Sequence, residues 1–450
     1  MTVNHKARVI LFWTLVILFV LGGSGTVLYS QGWRLDLTSL TPKKVGAIFV
    51  RSFPKEAEIY LDGKRINNDS WLLFSGTLIN NLFPKTYELV LRLEKYRTWK
   101  QRLTVEPMKV TEAKYAVLIP LEDSAVATTV PPGSTNFRLL PNASFLWQTD
   151  SALFLNSTKI NGAELKFLLP GNDNAIVATL ADNYYLNRLS SGTSTASIMP
   201  AIKAAKLTGV PRFFGADSPS KVLVTTADTV ALLDVFTNKV DAIATTSVKT
   251  YGRLLPDTAA GNRKYAAFAV KPASSTGSVV HIMDISSSQI LPDRAPAFKN
   301  NIKKLEWMAD GRLAVLEDDG NLSIYSPTTN KSEMLASEVK DFVFLGDASR
   351  VAILEKYAVE IISFLPEYKE RDYRRFALKN NMNITRLVWY KDEQHLLVGY
   401  PDGVFLLDLN DRNLDYYEKL TDASLWQYDS GANILYFLFG KELRKLEFPK

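Results

Sequence analysis

The chain has 450 residues, of which 46% are hydrophobic and 22% charged, a balance typical of a globular rather than a disordered protein. Its formal charge is +6, and no run of Lys and Arg with interleaved aromatic residues occurs, so nucleic acid is not an expected partner. The absence of cysteine from the sequence excludes disulfides, thiolate metal sites and a lipoprotein anchor.

The first predicted element is a membrane-spanning helix within residues 1–33. Val9 to Leu21 is a predominantly apolar run of 13 residues, and counted to Tyr29 the segment has 21, close to the roughly 20 needed to cross a bilayer. Tyr29 and Trp33 would lie at the far interface. The alternative is a cleaved signal peptide, for which Gly23-Ser24-Gly25 supplies small residues at a cleavage site.

The orientation of this helix is not decided by charge. Lys6 and Arg8 on the short side compete with Arg34, Lys43 and Lys44 on the long side. A short N-terminal tail and a large following segment favour a cytoplasmic N-terminus, which places the bulk of the chain outside the cytoplasm. The reverse topology, with a cytoplasmic assembly platform, is the alternative.

After a juxtamembrane linker at residues 34–44, residues 45–121 predict a small all-β sandwich. Apolar residues alternate with polar ones in several short segments, and Asp62-Gly63 is a dipeptide typical of a tight hairpin. These segments include Val45 to Phe53, Ile59 to Leu61 and Tyr87 to Leu93.

The order of motifs in this segment is similar to that of the PEGA domain. Pro54-Lys55-Glu56-Ala57 occupies the turn that names the family, Tyr60-Leu61-Asp62-Gly63-Lys64 matches the strand and hairpin after it, and Tyr96 to Trp99 matches the late aromatic pair. Glu56 stands where the family has Gly, which predicts strain if that turn needs a positive φ. The resemblance implies an extracytoplasmic module of the cell envelope.

Residues 122–136 are predicted as a linker because they end in Pro131-Pro132-Gly133-Ser134. Beyond them, from 137 to 450, a bulky apolar residue is followed three positions later by Asp seven times. The pairs are Trp147/Asp150, Phe214/Asp217, Leu254/Asp257, Trp307/Asp310, Phe344/Asp347, Trp389/Asp392 and Trp426/Asp429.

Most of these pairs recur at the roughly 40–50 residues of one β-propeller blade, and short alternating strands follow them. Seven blades are favoured, with eight or six as alternatives. The long gap between Trp147 and Phe214 leaves room for an eighth, beginning near Phe167. Phe137 to Leu140 is expected to complete the last blade and close the ring. The recurring aromatic residues are interpreted as packing between blades, and the Asp residues as turn caps.

One copy also resembles a known repeat. Trp307-Met308-Ala309-Asp310-Gly311, followed by Leu313, is similar to the Trp-Ser-Pro-Asp-Gly signature of TolB-like propellers, which are related to WD-repeat propellers. No copy has the Ser-Pro pair. The resemblance implies a fold and leaves the function open.

No catalytic, cofactor-binding or metal-binding residue is predicted. A Ser-His-Asp device in the propeller would have to use His281 or His395, and both occupy strand-like sequence. Neither a Gly-x-Ser-x-Gly elbow nor a His-Glu-x-x-His pair occurs in the sequence of the propeller. The acidic run Glu317 to Asn321 is interpreted as a hairpin turn rather than a calcium loop.

The sequence therefore predicts an all-β, single-pass membrane protein that presents a propeller on a PEGA-like stalk at the cell envelope. The expected activity is non-catalytic binding of a protein, peptide or glycan. A propeller hydrolase or lyase acting on envelope polysaccharide or peptide is the alternative. Acidic residues with a histidine at the channel mouth would favour the enzyme, and an aromatic or mixed polar surface would favour binding.

Overall fold

The fold is described from a computed structural model, which is mostly β. It describes the following residues: 5–36, 41–69, 76–140, 144–160, 162–169, 174–179, 181–189, 193–216, 218, 220–245, 253–262, 264–273, 275–287, 289–291, 294–364, 372–378, 383–411 and 413–449.

The N-terminal apolar segment forms a single helix, α1, at His5–Ser30. Its portion Val9–Ser30 has 22 residues and is long and apolar enough to cross a bilayer. Just beyond the helix, Arg34 Nη1 donates to the carbonyl of Tyr29 at 2.8 Å, and the guanidinium lies 3.5 Å from the centroid of the Tyr29 ring. A cation at this position stabilises the negative end of the helix dipole.

The segment predicted as a juxtamembrane linker contains a β-hairpin. Strand β1 at Trp33–Asp36 pairs antiparallel with β2 at Thr41–Lys44. Lys43 Nζ lies 2.7 Å from Asp36 Oδ2, and the Asp36 side chain is only 12% exposed, so the pair is partly shielded from water. The chain leaves the helix as a hydrogen-bonded structure rather than as an extended tether.

The chain forms two compact units, and the first comprises Met1–Asp123 with Leu407–Glu418 and Leu446–Lys450. Beyond the hairpin, this unit has a three-stranded sheet of order β6-β3-β9 and a four-stranded sheet of order β5-β4-β7-β8. The strands are β3 Gly46–Phe53, β4 Glu58–Leu61, β5 Lys64–Ile66, β6 Thr77–Leu82, β7 Thr86–Arg92, β8 Trp99–Thr104 and β9 Val110–Val117.

Alternation builds the core of this module. Strand β8 buries every second residue, so Trp99 and Leu103 point inward while Lys100 and Arg102 face water. From the exposed side of β8, Arg102 Nη2 donates to Asp415 Oδ1 at 2.6 Å within the same unit.

Two turns of this module were predicted from the sequence, and one has the expected backbone conformation while the other does not. Asp62 and Gly63 have φ of 48° and 75°, and they connect β4 to β5 as the hairpin turn that was predicted. Glu56 lies in the turn before β4, but its φ is not positive. The strain expected from replacing Gly there is therefore absent at this described residue.

The second unit is Ser124–Leu406 with Lys419–Lys445, and it holds most of the strands of a β-propeller that has eight sheets among the described residues. Its strands begin with β10 Ser124–Ala125. The first sheet has β11 Ser134–Leu139, β12 Phe145–Thr149, β13 Leu153–Leu155 and β14 Thr158–Ile160. The second has β15 Glu164–Leu168, β16 Asn174–Ala178, β17 Tyr184–Arg188 and β18 Thr193–Ser197, followed by helix α2 Met199–Ala204. The third has β19 Arg212–Gly215, β20 Lys221–Thr225, β21 Thr229–Asp234 and β22 Lys239–Thr245. The fourth has β23 Arg253–Gly261, β24 Tyr265–Lys271, β25 Ser278–Asp284, β26 Gln289–Ile290 and β27 Ala297–Phe298.

The remaining sheets continue the same meander, with antiparallel neighbours in chain order. The fifth has β28 Ile302–Trp307, β29 Leu313–Glu317, β30 Leu322–Ser326 and β31 Lys331–Ala336. The sixth has β32 Asp341–Phe344, β33 Arg350–Leu354, β34 Ala358–Ser363 and β35 Asp372–Ala377. The seventh has β36 Arg386–Trp389, β37 His395–Tyr400, β38 Gly403–Asp408 and β39 Tyr417–Thr421. The eighth has β40 Trp426–Asp429, β41 Ile434–Phe439 and β42 Glu442–Glu447, with β10 on its outer edge.

Burial differs systematically across each sheet. The second strands β16, β29 and β37 are buried along their whole length, as expected of strands covered on both faces. The fourth strand β31 is mostly exposed, and first strands such as β32 and β36 are intermediate. First strands of neighbouring sheets contact one another, so they line the axis of the propeller.

Neighbouring sheets bury their faces against each other. One apolar cluster joins Leu316 of the fifth sheet to Val351 of the sixth, and another joins Ile282 of the fourth to Leu313 of the fifth. A third joins Trp147 of the first sheet to Leu443 of the eighth. Because the eighth sheet packs on the first, the array closes on itself.

The strand that completes the eighth sheet is β10, which pairs with β42, and not Phe137 to Leu140 as the sequence analysis predicted. Phe137 instead lies in β11, where its ring is 5.2 Å from that of Trp147. Strand β10 comes from the segment predicted as a linker, whose short Ser-Ala pair carries no strand signal of its own. The additional blade near Phe167 is the second sheet.

Candidate ligand-binding site

The aromatic residues of the repeat hold first strands together. Trp307 Nε1 donates to the carbonyl of Ala260 on the preceding sheet at 3.1 Å, and Trp389 Nε1 donates to that of Val343 at 3.2 Å. Each indole bridges two sheets through an edge carbonyl that is left over from the ladder. The packing role predicted for these residues is confirmed at both positions.

The Asp residues of the repeat cap the turns that follow, as predicted, at four positions. Asp392 Oδ1, for example, accepts from the backbone N–H groups of Gln394 and His395 at 2.8 and 3.1 Å. The others accept in the same way: Asp310 from Arg312, Asp347 from Ser349, and Asp429 from Gly431 and Ala432.

The remaining copies of the motif are less regular. Trp147 lies on the second strand of its sheet rather than the first, so the Trp147/Asp150 pair is out of register with the others. In its turn Thr149 Oγ1 accepts from the N–H of Ala152 instead. Asp217 and the side chain of Asp257 lie outside the described residues.

Both propeller histidines are buried in the sheets. His395 is fully buried at the start of β37, with Nδ1 2.7 Å from Asp392 Oδ2 in the capping network just described. His281 lies on β25, where its ring stacks on Phe268 at 5.7 Å and burial lowers its pKa. Both are packed strand residues, as the sequence indicated.

The acidic run from Glu317 to Asn321 forms the hairpin turn that was predicted between β29 and β30. Asp319 Oδ1 accepts from the N–H of Asn321 at 3.1 Å, and Gly320 has a φ of 92°. Amide groups of Asn300 and Asn301 donate to the neighbouring carboxylates. Across the described ranges, no group of three or more His, Cys, Asp and Glu side chains is arranged to hold a metal ion.

An aromatic depression lies where the first strands of the fourth and fifth sheets end. It measures about 660 Å³ and is lined by Tyr265, Trp307, Lys264 and Asn262, with Met308, Ala309 and three glycines completing the wall. The rings of Tyr265 and Trp307 stack at 5.9 Å with an interplanar angle of 28°. Both side chains are half-buried, so the pair is fixed by packing while part of each residue remains accessible.

Cations flank this aromatic pair. Lys264 Nζ lies 4.9 Å from the centroid of the Tyr265 ring, and Arg294 Nη1 donates to the Tyr265 hydroxyl at 3.2 Å. The hydrogen bond with Lys264, followed by that from Arg294, lowers the pKa of the Tyr265 phenol. The depression therefore combines an apolar ring surface with positive charge at its edge.

No sequence pattern marks this depression. Trp307 was placed in the repeat, but Lys264 and Tyr265 follow a part of the chain in which the motif is weak, between Leu254 and Trp307. The Lys264-Tyr265 pair sits at the beginning of a strand, where an aromatic residue reads as ordinary strand sequence. Tyr265 comes to lie beside the fifth sheet because its strand, β24, pairs with β23, and β23 contacts the first strand of the fifth sheet.

The geometry defines an all-β protein with a small two-sheet module, a propeller and one apolar N-terminal helix. Residues 45–118 match the PEGA domain family. The PEGA assignment made from the turn and hairpin motifs is therefore confirmed for this segment. No curated protein matches the chain.

Three solved structures are similar to this chain at low sequence identity. The Cps50 (Swd1) β-propeller domain of Myceliophteria thermophila is 10% identical, with a TM-score of 0.43 over 72% of this chain and 99% of its own. The computationally designed Ika8 protein is 14% identical, with 0.48 over 72% and 98%. Hydrazine synthase of Kuenenia stuttgartiensis is 13% identical, with 0.41 over 64% and 98%. The propeller assignment rests on the sheet topology of the chain itself.

Proposed function

We propose that the chain is a single-pass envelope protein that carries its PEGA domain and propeller outside the cytoplasm and binds a protein, peptide or glycan without chemical conversion. Helix α1 supplies the anchor, and the PEGA domain supports the extracytoplasmic placement. The observation that carries the binding role is the aromatic depression around Tyr265 and Trp307.

The chemistry of the depression favours binding over hydrolysis. Among the described lining residues there is no carboxylate and no histidine, so this part of the site lacks the carboxylate pair and the histidine base on which common hydrolases rely. An aromatic face with a lysine at its edge suits a ligand that offers a flat or apolar surface together with an anionic or acceptor group. A sugar ring with a carboxylate, or a peptide side chain beside an acidic residue, meets both requirements.

The test is a binding measurement with the detergent-solubilised full chain and two probes, soluble peptidoglycan fragments and a random peptide library. Substitution Tyr265→Ala is expected to weaken binding to a hit from either probe at least tenfold, which corresponds to about 1.4 kcal/mol. Tyr357→Ala is the matched control, because Lys356 lies over the Tyr357 ring at the same 4.9 Å but outside the depression.

Equal affinities for the two variants would refute the assignment of the site. Release of shortened fragments from the glycan or peptide probe would instead favour the hydrolase or lyase alternative. Mass analysis of the probe after incubation distinguishes these results.

A further inference from the structure

The β-hairpin after helix α1 is fixed at the level where that helix leaves the membrane. The membrane-spanning portion Val9–Ser30 has 22 residues and rises about 33 Å at about 1.5 Å per residue, close to the thickness of the hydrocarbon core. Strand β1 begins shortly after Ser30, and beyond β2 the N–H of Val45 donates to the carbonyl of Gly32 at 3.0 Å. When α1 spans a bilayer, the base of the hairpin therefore lies among the lipid headgroups.

The two faces of this hairpin are defined by its register. Alternate residues of a strand point to opposite faces, and directly paired residues of antiparallel strands share a face. The residues of one face, called the inner face, are Arg34, Asp36, Thr41 and Lys43. Those of the other, called the outward face, are Trp33, Leu35, Pro42 and Lys44. The apolar side chains of the two strands are all on the outward face.

The inner face is occupied by contacts within the protein. Arg34 Nη2 donates to Oδ1 of Asn81 on β6 at 3.0 Å, while its Nη1 donates to the Tyr29 carbonyl. Asp36 is buried, and its carboxylate pairs with Lys43. The inner face is thus turned toward the PEGA domain, and its two cations have partners in the chain.

The outward face is apolar, exposed and bordered by a positive charge. Leu35 is 56% exposed, and its cross-strand partner Pro42 is exposed as well. Trp33 is half-buried, and the Lys44 ammonium lies 5.4 Å from the centroid of its ring. Tryptophan concentrates at membrane interfaces, and lysine extends its charged end toward the headgroups while its methylenes cover apolar surface. The composition of this face therefore fits a lipid surface better than bulk water.

We propose that the outward face binds the lipid surface around α1, with Trp33 and Leu35 against the upper acyl chains and the Lys44 ammonium on the phosphate of an anionic headgroup. Two observations select a membrane as the occupant. The hydrogen-bonded base keeps the hairpin beside the end of the spanning helix, so the lipid-facing surface of α1 continues into the hairpin. Lys44 supplies the positive charge that anionic lipid attracts in a segment next to the membrane. The proposal rests on the membrane-spanning role of α1 in the proposed function, and it holds for either orientation of that helix.

The test places a fluorescent label on each face in turn, which a single introduced thiol allows because the sequence contains no cysteine. Leu35→Cys and Thr41→Cys put the label at exposed positions of the outward and inner face. The full chain is reconstituted into vesicles of phosphatidylcholine and phosphatidylglycerol, some of whose acyl chains carry bromine near the headgroup and quench a nearby label. We expect about twofold stronger quenching at Leu35→Cys, because an amphipathic segment buries its apolar face about 5–10 Å into the boundary between headgroups and acyl chains. Pro42→Cys, on the outward face, is expected to follow Leu35→Cys.

Two neighbouring lysines test the role of charge. Lys44→Gln removes the cation of the outward face. Lys43→Gln is the matched control, because Lys43 already pairs with Asp36 on the inner face and the amide of Gln can still donate to that carboxylate. We expect quenching at Leu35→Cys to rise about twofold when phosphatidylglycerol is added to vesicles of phosphatidylcholine. This rise is expected to disappear with Lys44→Gln and to persist with Lys43→Gln.

Flotation of the vesicles separates failure of the anchor from failure of the lipid-binding face. A chain that does not float with the vesicles overturns both the spanning role of α1 and the lipid-binding face. A chain that floats but is quenched equally at Leu35→Cys and Thr41→Cys overturns the lipid-binding face alone. Quenching at Leu35→Cys that does not depend on phosphatidylglycerol, or that responds equally to Lys43→Gln and Lys44→Gln, overturns the contact of Lys44 with an anionic headgroup.

Discussion

Substitution of Gly399 tests the packing between the seventh and eighth sheets. A Cβ atom at this position would lie 2.9 Å from Cζ2 and 3.2 Å from Nε1 of Trp426, and 3.3 Å from Oγ1 of Thr385. Trp426 is only 5% exposed, so its indole has little freedom to move aside. Gly399→Ala therefore forces a clash inside the contact that joins two sheets.

The expected cost follows from two opposing effects. Overpacking of a buried contact destabilises by about 1–3 kcal/mol. Loss of backbone freedom in the unfolded chain offsets about 0.4–1 kcal/mol of this for a Gly→Ala change. The net loss is thus on the order of 1–2 kcal/mol, and each kcal/mol lowers the midpoint by about 2–4 °C in a domain of 150–250 residues.

The assay is thermal unfolding of the purified chain followed by circular dichroism. Gly215→Ala is the control, because a Cβ there meets only Phe167 Cζ at an ordinary 3.7 Å, and its midpoint is expected to stay the same or rise. In a Trp426→Phe background, where Cζ2 and Nε1 are missing, Gly399→Ala is expected to cost less. Equal midpoints for Gly399→Ala and Gly215→Ala would refute the packing described here.

Three further substitutions test the caps, a buried histidine and the PEGA core. Asp392→Ala removes the carboxylate that accepts from two backbone N–H groups and contacts the buried His395 ring, and it is expected to lower the free energy of unfolding in urea by about 2–3 kcal/mol. Asp150→Ala is the control and should cost little, because the turn at Asp150 is capped by Thr149 instead. Burial lowers the pKa of His281, so below about pH 6.5 the unfolded chain binds more protons than the folded one, and the free energy of unfolding falls as the pH drops. His281→Gln should reduce the slope of unfolding free energy against pH in this range. An unchanged slope would contradict the burial of His281. Leu91→Ala, at 0% exposure, is expected to cost about 2–5 kcal/mol, while Leu78→Ala, at 46%, should change stability by less than about 0.5 kcal/mol.

The sequence predicted most of the fold because local signals and tertiary packing agree in it. Asp62-Gly63 adopts the positive φ angles that its hairpin needs, and Trp307 and Trp389 occupy equivalent places at the ends of first strands. Where a local signal coincides with a required backbone geometry, the sequence is sufficient.

The parts that the sequence did not predict depend on contacts between distant residues. Strand β10 is a strand only because the exposed edge of β42 accepts it. The second sheet has no copy of the repeat motif. The copy at Trp147 lies on the second strand of its sheet, whereas the regular copies lie on the first. Seven copies of the motif predicted seven blades, but eight sheets are described, because a sheet without a copy of the motif is not counted.

The same limit applies to the aromatic depression. Tyr265 and Trp307 are 42 residues apart in sequence, and their rings meet because the fourth and fifth sheets are neighbours. This arrangement has no sequence pattern that could reveal it.

The central claim, an anchored protein with an extracytoplasmic propeller, is tested most directly by protease digestion of intact cells with the membrane-bound chain sized on the same gel. We expect digestion of the propeller from outside and retention of the undigested chain, with α1 attached, in the membrane. Protection in cells whose outer barriers have been removed, lost on lysis, would contradict it and favour a cytoplasmic propeller. Release of a shortened chain from the membrane would contradict the anchor and favour a cleaved signal peptide.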